Sequence, residues 1–487
     1  VDDHHYEAVR RAFQTAAAAR AAALGAACDL PPDELALHQQ VGWEAALAHA
    51  RAASPWHAER LAGLPADAHP EQVPTMTRED LDAHFDRIVA HRLTTRAGCE
   101  ARLAAAGDRP AFVDDHHLVL TSGGTSGRRG VFVWSRPEVV GVFLSMGRWV
   151  GRGPLGGEPP RRLATVGAGS ARHATAAVGA IFAPAGEAAP GDEHGVDRPG
   201  AGPGPGPSSF PVDLPLPEIV SGLNRARPDL LVVYGSMIPL LAEEAAAGRL
   251  TIGPRAVVAT SEPLPPNARP AARAAWGTEI VDCYGTSEAG IVACGCGFAP
   301  GLHLNEDLVL VEAVDGDGRP VPTGERSARV LVTPLGGGHA LPLVRYQLDD
   351  EVVPLAEPCP CGSAFRRIAA VTGRADELLT WGTTVVHPHV LRAVVAGHPG
   401  VLEYQVRATA GGVHVDVRPG RAGVRTGLLR ADLHRALTRA GLADPQVTVD
   451  EVAAVARTET GKIRRFVPAP AAAGVGPARP PRAPSEA

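Results

Sequence analysis

Lysine is almost missing from this chain. Its 487 residues include 47 Lys and Arg together, and Lys462 is the sole lysine, so 47 − 1 leaves 46 arginines. The heavy use of Ala, Arg, Gly and Pro points to a biased coding sequence that writes Arg wherever a generic cation suffices. The one lysine therefore needs a reason beyond charge. A basic footprint is also lacking: the net charge is −6, the pI is near 6.4 and the arginines are scattered, which excludes nucleic acid as an expected partner. No apolar run reaches membrane-spanning length. The most apolar early stretch, residues 16–27, is Ala-rich, is broken by Arg20 and follows the acidic opening VDDHHYE, so it reads as a helix and not as a signal peptide or a membrane span. Cysteines number seven, an odd count in a long chain without a secretion signal, which argues against a disulfide framework and for a reducing cytoplasm. No internal repeat is present.

What is there is a soluble multidomain chain. With 45% hydrophobic residues it can bury several cores, and ordinary domain sizes predict about two to four units. Residues 1–115 carry helical periodicity, as in DELALHQQVGWEAALAHARAA from Asp33. From His117 onward strands and helices alternate. The stretches 229–236, 239–250, 256–263, 268–276 and 279–288 read β-α-β-α-β with short connections, the pattern of a parallel sheet. Ligands in such sheets bind beyond the carboxyl ends of the strands, which places Gly235, Ser236, Ser261, Glu262 and Tyr284 to Glu288 at a candidate site. The expected fold class is α/β multidomain: a large N-terminal domain with parallel α/β sheets, residues 1–372, and a small mobile α+β C-terminal domain, residues 373–466. Residues 184–211, rich in Pro, Gly and acidic residues, have little to bury and are expected to be a disordered insertion. Residues 467–487 are expected to be a disordered tail.

Several stretches carry chemistry. TSGGTSGRRG, residues 121–130, follows a strand and holds four hydroxyls among four glycines. Backbone N–H groups freed by glycine can close on an oxyanion, so this is a phosphate cradle or else a plain Gly-rich hairpin turn; it does not match a Walker A loop. CYGTSE, residues 283–288, ends a strand with an aromatic face, two hydroxyls and a carboxylate, a set suited to a nucleotide and Mg²⁺. RYQLDD, residues 345–350, ends in carboxylates that can take ribose hydroxyls or form a solvated turn. GRAD, residues 373–376, and TETGKIRR, residues 458–465, complete the series. Separately, Cys294, Cys296, Cys359 and Cys361 give four thiols in two C-x-C pairs with His303 nearby as an alternative ligand. Four thiolates suffice for a structural, non-catalytic zinc site; buried free thiols are the other reading.

In order and spacing these five stretches resemble the adenylate-forming superfamily of acyl-CoA synthetases, luciferases and peptide-synthetase adenylation domains. Within it the chain is most similar to the phenylacetate-CoA ligase branch, through PTMTREDL at 74–81, SEP at 261–263, GLHLNED at 301–307 with Glu312, LPLVRYQLDD at 341–350 and CPCG at 359–362. The resemblance implies that Ser122, Gly123, Gly124, Thr125, Ser126, Gly127 and Arg128 hold the β- and γ-phosphates of ATP, with Arg128 where relatives have Lys. Ser261, Glu262 and Pro263 would line the adenine, Tyr284 would stack on it with Gly285 among the cofactor-binding residues, and Asp350 would take both ribose hydroxyls. Thr286 would contact the α-phosphate and Glu288 would bind Mg²⁺. His173, Ser236 and Gly285 would lie by the acyl group, Arg374 and Asp376 at the domain junction and hinge, and Lys462 would be the mobile catalytic lysine. Asp349 stands where relatives have Gly, a substitution that Asp tolerates better than most residues.

The implied activity is AMP-forming acid–thiol ligation: a carboxylic acid, expected to be an aryl acid, is activated by ATP to acyl-AMP and passed to CoA. The alternatives are transfer to a carrier protein or an amine nitrogen, and a non-catalytic ligase-fold binding protein. The lysine then has its reason. Arg is a broad planar fork, whereas Lys is a point charge on a thin stem that can enter a closed pocket beside the α-phosphate.

Overall fold

A computed structural model describes residues 3–107, 109–122, 130–183, 208–369, 371, 373–374, 379–382, 384–386, 388–396, 398, 400–458 and 461–468. The chain divides into two compact units, one made of residues 1–375 with 456–463 and the other of residues 376–455 with 464–487. Segment 456–463, which carries Lys462, was expected in the small domain and instead packs with the large unit.

In the large unit, β1 (Ala111–Asp114), β2 (His117–Thr121) and β3 (Val131–Ser135) form an antiparallel sheet. Next come β4 (Leu163–Gly167), β5 (Ser208–Pro211), β6 (Leu230–Tyr234), β7 (Ala256–Thr260), β8 (Ile280–Thr286), β9 (Gly290–Cys294) and β10 (Leu302–Leu304). They continue with β11 (Val309–Val314), β12 (Arg329–Pro334), β13 (Tyr346–Leu348), β14 (Asp350–Glu351), β15 (Pro354–Leu355), β16 (Arg367–Ile368) and β17 (Gly373–Arg374). Nine of these strands make one sheet in the order β15-β16-β10-β9-β8-β7-β6-β4-β5. Its β5-β4-β6-β7-β8 half is parallel and its other half antiparallel. The parallel half is built as expected: every residue of β6 and β7 is buried, as strands covered on both faces require, and helices Met237–Ala246 and Ala268–Trp276 make the crossovers. The carboxyl ends of β4, β6, β7 and β8 therefore open on one edge.

Residues 184–207 of the expected insertion lie outside the described residues, but 208–211 form β5 and are no part of a disordered stretch. The reason is local. Ser208–Pro211 pairs in parallel with β4, and the Phe210 ring packs so closely on Gly222 that a Cβ there would lie 2.2 Å from it.

The small unit contains the hairpin β18 (Leu379–Trp381) and β19 (Thr384–Val386), then β20 (Val401–Thr409), β21 (Gly412–Pro419), β22 (Gln446–Glu451) and β23 (Phe466–Val467). The last four form a sheet in the order β22-β21-β20-β23, with a core of Leu391, Val406, Val415, Leu429, Leu433, Leu437 and Phe466. Val467, expected in the tail, belongs to β23; residues 469–487 lie outside the described residues. Among the described residues no helix is long and apolar enough to cross a membrane.

Several sequence stretches that carried the resemblance turn out to be joints of the large unit. Arg345 has a left-handed φ of 51° and is 4% exposed. Its guanidinium grips Glu312 through Nε–Oε2 at 3.0 Å and Nη2–Oε1 at 2.8 Å, and donates to the Val73 carbonyl at 2.6 Å. The Met76 N–H donates to the Arg345 carbonyl at 2.9 Å, just before the Thr77–Asp80 capping box that starts helix Arg78–Ile88. Asp307 holds Arg148 through two bonds of 2.6 and 2.7 Å, and Asn305 accepts from Arg148 and from the Trp149 indole. Removing one partner of such a buried pair leaves an uncompensated charge, so Glu312→Ala should lower the unfolding free energy of the large unit by about 3–5 kcal/mol in urea titration. A change below about 1 kcal/mol, the range of surface pairs, would mean that this pair is solvated.

Candidate active site

A cavity of about 850 Å³ opens at the carboxyl edge of the parallel strands, lined among the described residues by Thr121, Thr165, His173, Tyr234, Thr260, Ser261, Gly285, Thr286 and Lys462. Thr165, Tyr234, Thr260, Gly285 and Thr286 lie on β4, β6, β7 and β8, where a parallel sheet leaves backbone polar groups and side chains facing a ligand, while Thr121 ends β2 of the antiparallel sheet and His173, Ser261 and Lys462 lie on connecting segments. Its apolar wall includes Trp134, Val142, Met146 and the stacked pair Phe143 and Phe182, whose ring centres are 3.9 Å apart at 12°.

Lys462 reaches this cavity on a tight turn. The Gly461 N–H donates to the Thr458 carbonyl, and the Thr458 N–H to the Lys462 carbonyl, both at 2.8 Å. Gly461 has φ +74°, and a Cβ there would lie 2.0 Å from Val212 Cγ2, so geometry and space both demand glycine. The Arg457 guanidinium donates to the Gly461 carbonyl at 2.8 Å and to Ser236 Oγ at 3.3 Å. Immediately after the lysine, the Ile463 N–H donates to Glu262 Oε1 at 2.8 Å, while Glu262 Oε2 accepts from the Ser236 N–H at 3.0 Å. Glu262 thus clamps the lysine turn to the β6 terminus.

This arrangement bears on two expectations. The Glu262 carboxylate is buried and turned onto backbone N–H groups, so it acts as a clamp. Ser236 is 1% exposed, has its N–H and hydroxyl engaged by Glu262 and Arg457, and does not line the cavity. Ser261, directly before Glu262 and Pro263, takes φ +69° and shares a hydrogen bond of 3.1 Å with Thr175 Oγ1. A non-glycine residue in that region is strained, a state that persists where the surroundings over-determine it.

The remaining candidates divide as follows. Tyr284 and Asp350, 66 residues apart, meet in a hydrogen bond from the phenol to Asp350 Oδ2 at 2.9 Å. Thr286 Oγ1 accepts from the Ala289 N–H at 3.0 Å, which leaves its hydroxyl proton to donate towards the cavity it lines. Glu288 is half-buried and is not among the described residues that line the cavity; burial, followed by the Glu288 charge, pushes the nearby Tyr346 phenol well above its ordinary range. His173 occupies the N-cap position of helix Ala174–Phe182 without a side-chain capping bond, and its Nδ1 lies 3.2 Å from the Thr121 carbonyl, which selects the tautomer protonated at Nδ1. Ser122 closes the base of the Gly-rich loop: its N–H donates to the Gly130 carbonyl and its Oγ accepts from the Gly130 N–H, both at 2.9 Å. Gly123, Gly124, Thr125, Ser126, Gly127 and Arg128 lie outside the described residues, as do Asp376 and the Arg374 side chain. The Arg374 backbone pairs with Asp350 between β17 and β14.

Sequence reading missed the contribution of the N-terminal helix Asp3–Ala26, which brings Tyr6, Glu7 and Arg10 to the cavity. Helical periodicity marks a buried face but not what that face borders.

The cysteines also differ from expectation. Cys294 is joined to Cys283 as a disulfide across β9 and β8, so it is not available as a metal ligand. Cys296, Cys359, Cys361 and His303 instead gather with their ligand atoms all within 4.8 Å. Burial holds the His303 imidazole down to about 4, which keeps the ring neutral near pH 7.

No family model matches the chain. The phenylacetate-coenzyme A ligase of Thermus thermophilus is 35% identical over 108 residues, 22% of this chain and 24% of that ligase. That of Aromatoleum evansii is 26% identical over 262 residues, covering 50% of this chain and 58% of that ligase. The chain thus matches a quarter to somewhat over half of the length of these curated relatives. A crystal structure of 2-hydroxyisobutyryl-CoA ligase in the postadenylation state, in complex with an acyl-AMP, superposes with a TM-score of 0.63 at 18% identity, over 89% of this chain and 88% of that one. The chain has the fold of the adenylate-forming CoA ligases, and its matched segments are phenylacetate-CoA ligase-like.

Gly461→Ala should displace the lysine turn, because the new Cβ meets the stiff, β-branched Val212. Forcing a side chain into such a packed contact costs about 1–3 kcal/mol, so we expect Gly461→Ala to lower the urea midpoint of the large unit. A wild-type urea midpoint in Gly461→Ala would show that the turn's geometry is immaterial.

Proposed function

We propose that this chain, with the fold of adenylate-forming CoA ligases and a partial sequence match to phenylacetate-coenzyme A ligases, is an ATP-dependent, AMP-forming acid–thiol ligase. The observation that carries the reading is the convergence of Lys462, Thr286 and His173 on one cavity that also has an aromatic wall. A cation, a hydroxyl donor and an apolar slot are what the mixed anhydride of a carboxylic acid with AMP requires of its binding site.

In the first half-reaction a carboxylate oxygen of the acid attacks the α-phosphorus of ATP. The bond from that phosphorus to the bridging oxygen breaks, and pyrophosphate leaves. Negative charge grows on the α-phosphoryl oxygens, where the Lys462 ammonium and the Thr286 hydroxyl supply donors. Their value lies in being held in place beforehand, Lys462 by the Glu262 clamp and the Gly461 turn. Asp350 accepts the ribose hydroxyls, and the Tyr284 phenol fixes the carboxylate that does so. Glu288, half-buried two residues after Thr286, would hold Mg²⁺, which supplies charge neutralisation on the phosphates when bound. In the second half-reaction the thiol sulfur of CoA attacks the acyl carbonyl, the thiol proton is lost and AMP departs.

The substrate side of the cavity favours an aryl acid. Phe143 and Phe182 present stacked rings, and Trp134, whose indole donates to the Ser287 carbonyl at 3.0 Å, is held rigidly beside Thr286. Rigid aromatic walls gain from a planar ring in offset or edge contact in a way that a long flexible chain does not match. In a panel of aryl, short alkyl and long-chain fatty acids with ATP and Mg²⁺, aryl acids should release pyrophosphate fastest, and adding CoA should convert the adenylate to thioester. Preference for a long fatty acid would overturn the substrate class. Absence of acid-dependent pyrophosphate release across the panel would overturn the ligase reading.

A further inference from the structure

The large unit contains a second cluster of reactive side chains, placed away from the cavity and used by no step of the proposed reaction. We infer that Cys296, His303, Cys359 and Cys361 bind one zinc ion that staples two loops of the large unit together. Four donors of type S₃N meet there: Cys296 Sγ and Cys359 Sγ are 3.5 Å apart, Cys361 Sγ and His303 Nε2 are 3.5 Å apart, and all four atoms lie within 4.8 Å of one another. A tetrahedral zinc site with Zn–S near 2.3 Å and Zn–N near 2.0 Å has donor–donor edges of about 3.5–3.8 Å, so small side-chain adjustments complete it.

The surroundings are those of a ligand set. His303 is fully buried, and its Nδ1 donates to the Phe365 carbonyl at 3.2 Å, which turns the Nε2 lone pair towards the thiols. The ring is held flat against Trp149, with centres 4.5 Å apart at 14°. The second pair sits on a turn, Cys359–Pro360–Cys361–Gly362, closed by the Gly362 N–H to the Cys359 carbonyl at 3.0 Å, with Gly362 at φ +81°. Arg152 donates to the Cys361 carbonyl at 2.7 Å, which brings a cation close to a site whose three thiolates exceed the charge of a divalent ion by one. A soft S₃N set in tetrahedral reach selects zinc over the oxygen-seeking Mg²⁺ or Ca²⁺. The strands explain which cysteine is left out. Cys294 ends β9 directly opposite Cys283 and is tied to it, whereas Cys296 lies two residues on, in the loop leading to β10 and His303. The other buried thiols, Cys28 and Cys99, are not in the cluster. A closed four-ligand site leaves no position for substrate, so the role is structural.

The site does not depend on the ligase reading, and metal content tests it without any activity. Elemental analysis of the full chain, purified without chelator, should give about one zinc per chain, as a closed four-ligand site binds one ion. Cys359→Ser and His303→Ala should each lose most of it, while Cys294→Ser should keep it. For the case in which ligand variants fail to fold, wild-type protein produced in Co²⁺ medium should show thiolate-to-cobalt charge-transfer absorption and the visible bands of tetrahedral Co²⁺. Zinc-free, folded wild-type protein, or cobalt-grown protein without those bands, would overturn the inference. Loss of zinc in Cys294→Ser with retention in His303→Ala would overturn this ligand set.

Discussion

A single buried carboxylate carries the arrangement on which the rest depends. Glu262 spends one oxygen on the Ser236 N–H at the end of β6 and the other on the Ile463 N–H, immediately after Lys462. A carboxylate accepting two backbone N–H groups is a strong, directional joint, and both of its ends would be left unsatisfied in a buried place without it. Everything proposed for the chemistry follows from that joint: the lysine stands in the cavity because the residue after it is fixed to the sheet. Gly461 and Arg457 then leave the turn no other course.

The rest of the molecule serves to hold the sheet edge that Glu262 belongs to. Parallel strands β4, β6, β7 and β8 end together, and their termini supply Thr165, Tyr234, Thr260, Ser261 and Thr286 to one cavity. Behind them, Arg345 with Glu312 and Arg148 with Asp307 are buried pairs that tie the N-terminal helices and the later strands into the same unit. Such pairs contribute little net stability compared with apolar packing, but they tolerate no partial removal, so they specify one arrangement of the segments they join.

Much of this was legible in the residues. Buried β-branched runs and short connections announced the β-α-β-α-β core, because period and order survive folding, whereas the roles expected of Tyr284, Thr286, Asp350 and Lys462 came from the family resemblance. Side-chain direction does not. Nothing in Ser-Glu-Pro says that the left-handed Ser261 turns Glu262 inward, or that Ser236 is enclosed by its partners. Strand pairing was equally hidden: Cys294 looks like half of a C-x-C pair with Cys296, yet β8 offers it Cys283, and His303 becomes the fourth neighbour of the cluster only through the β9–β10 register. Ser208–Pro211 was lost in a Pro- and Gly-rich context because four residues carry too little pattern, and their place in the sheet comes from β4.

The account rests finally on why the chain's one lysine is a lysine. A chain with 46 arginines treats guanidinium as adequate elsewhere, whereas the contact proposed for Lys462 beside Thr286 calls for a compact ammonium. The direct measurement is the rate of each half-reaction in Lys462→Arg, with Lys462→Ala alongside. The account predicts that the arginine variant loses on the order of 10²–10³-fold in acid-dependent pyrophosphate release and approaches the alanine variant. Pyrophosphate release from Lys462→Arg at near wild-type rate would contradict it.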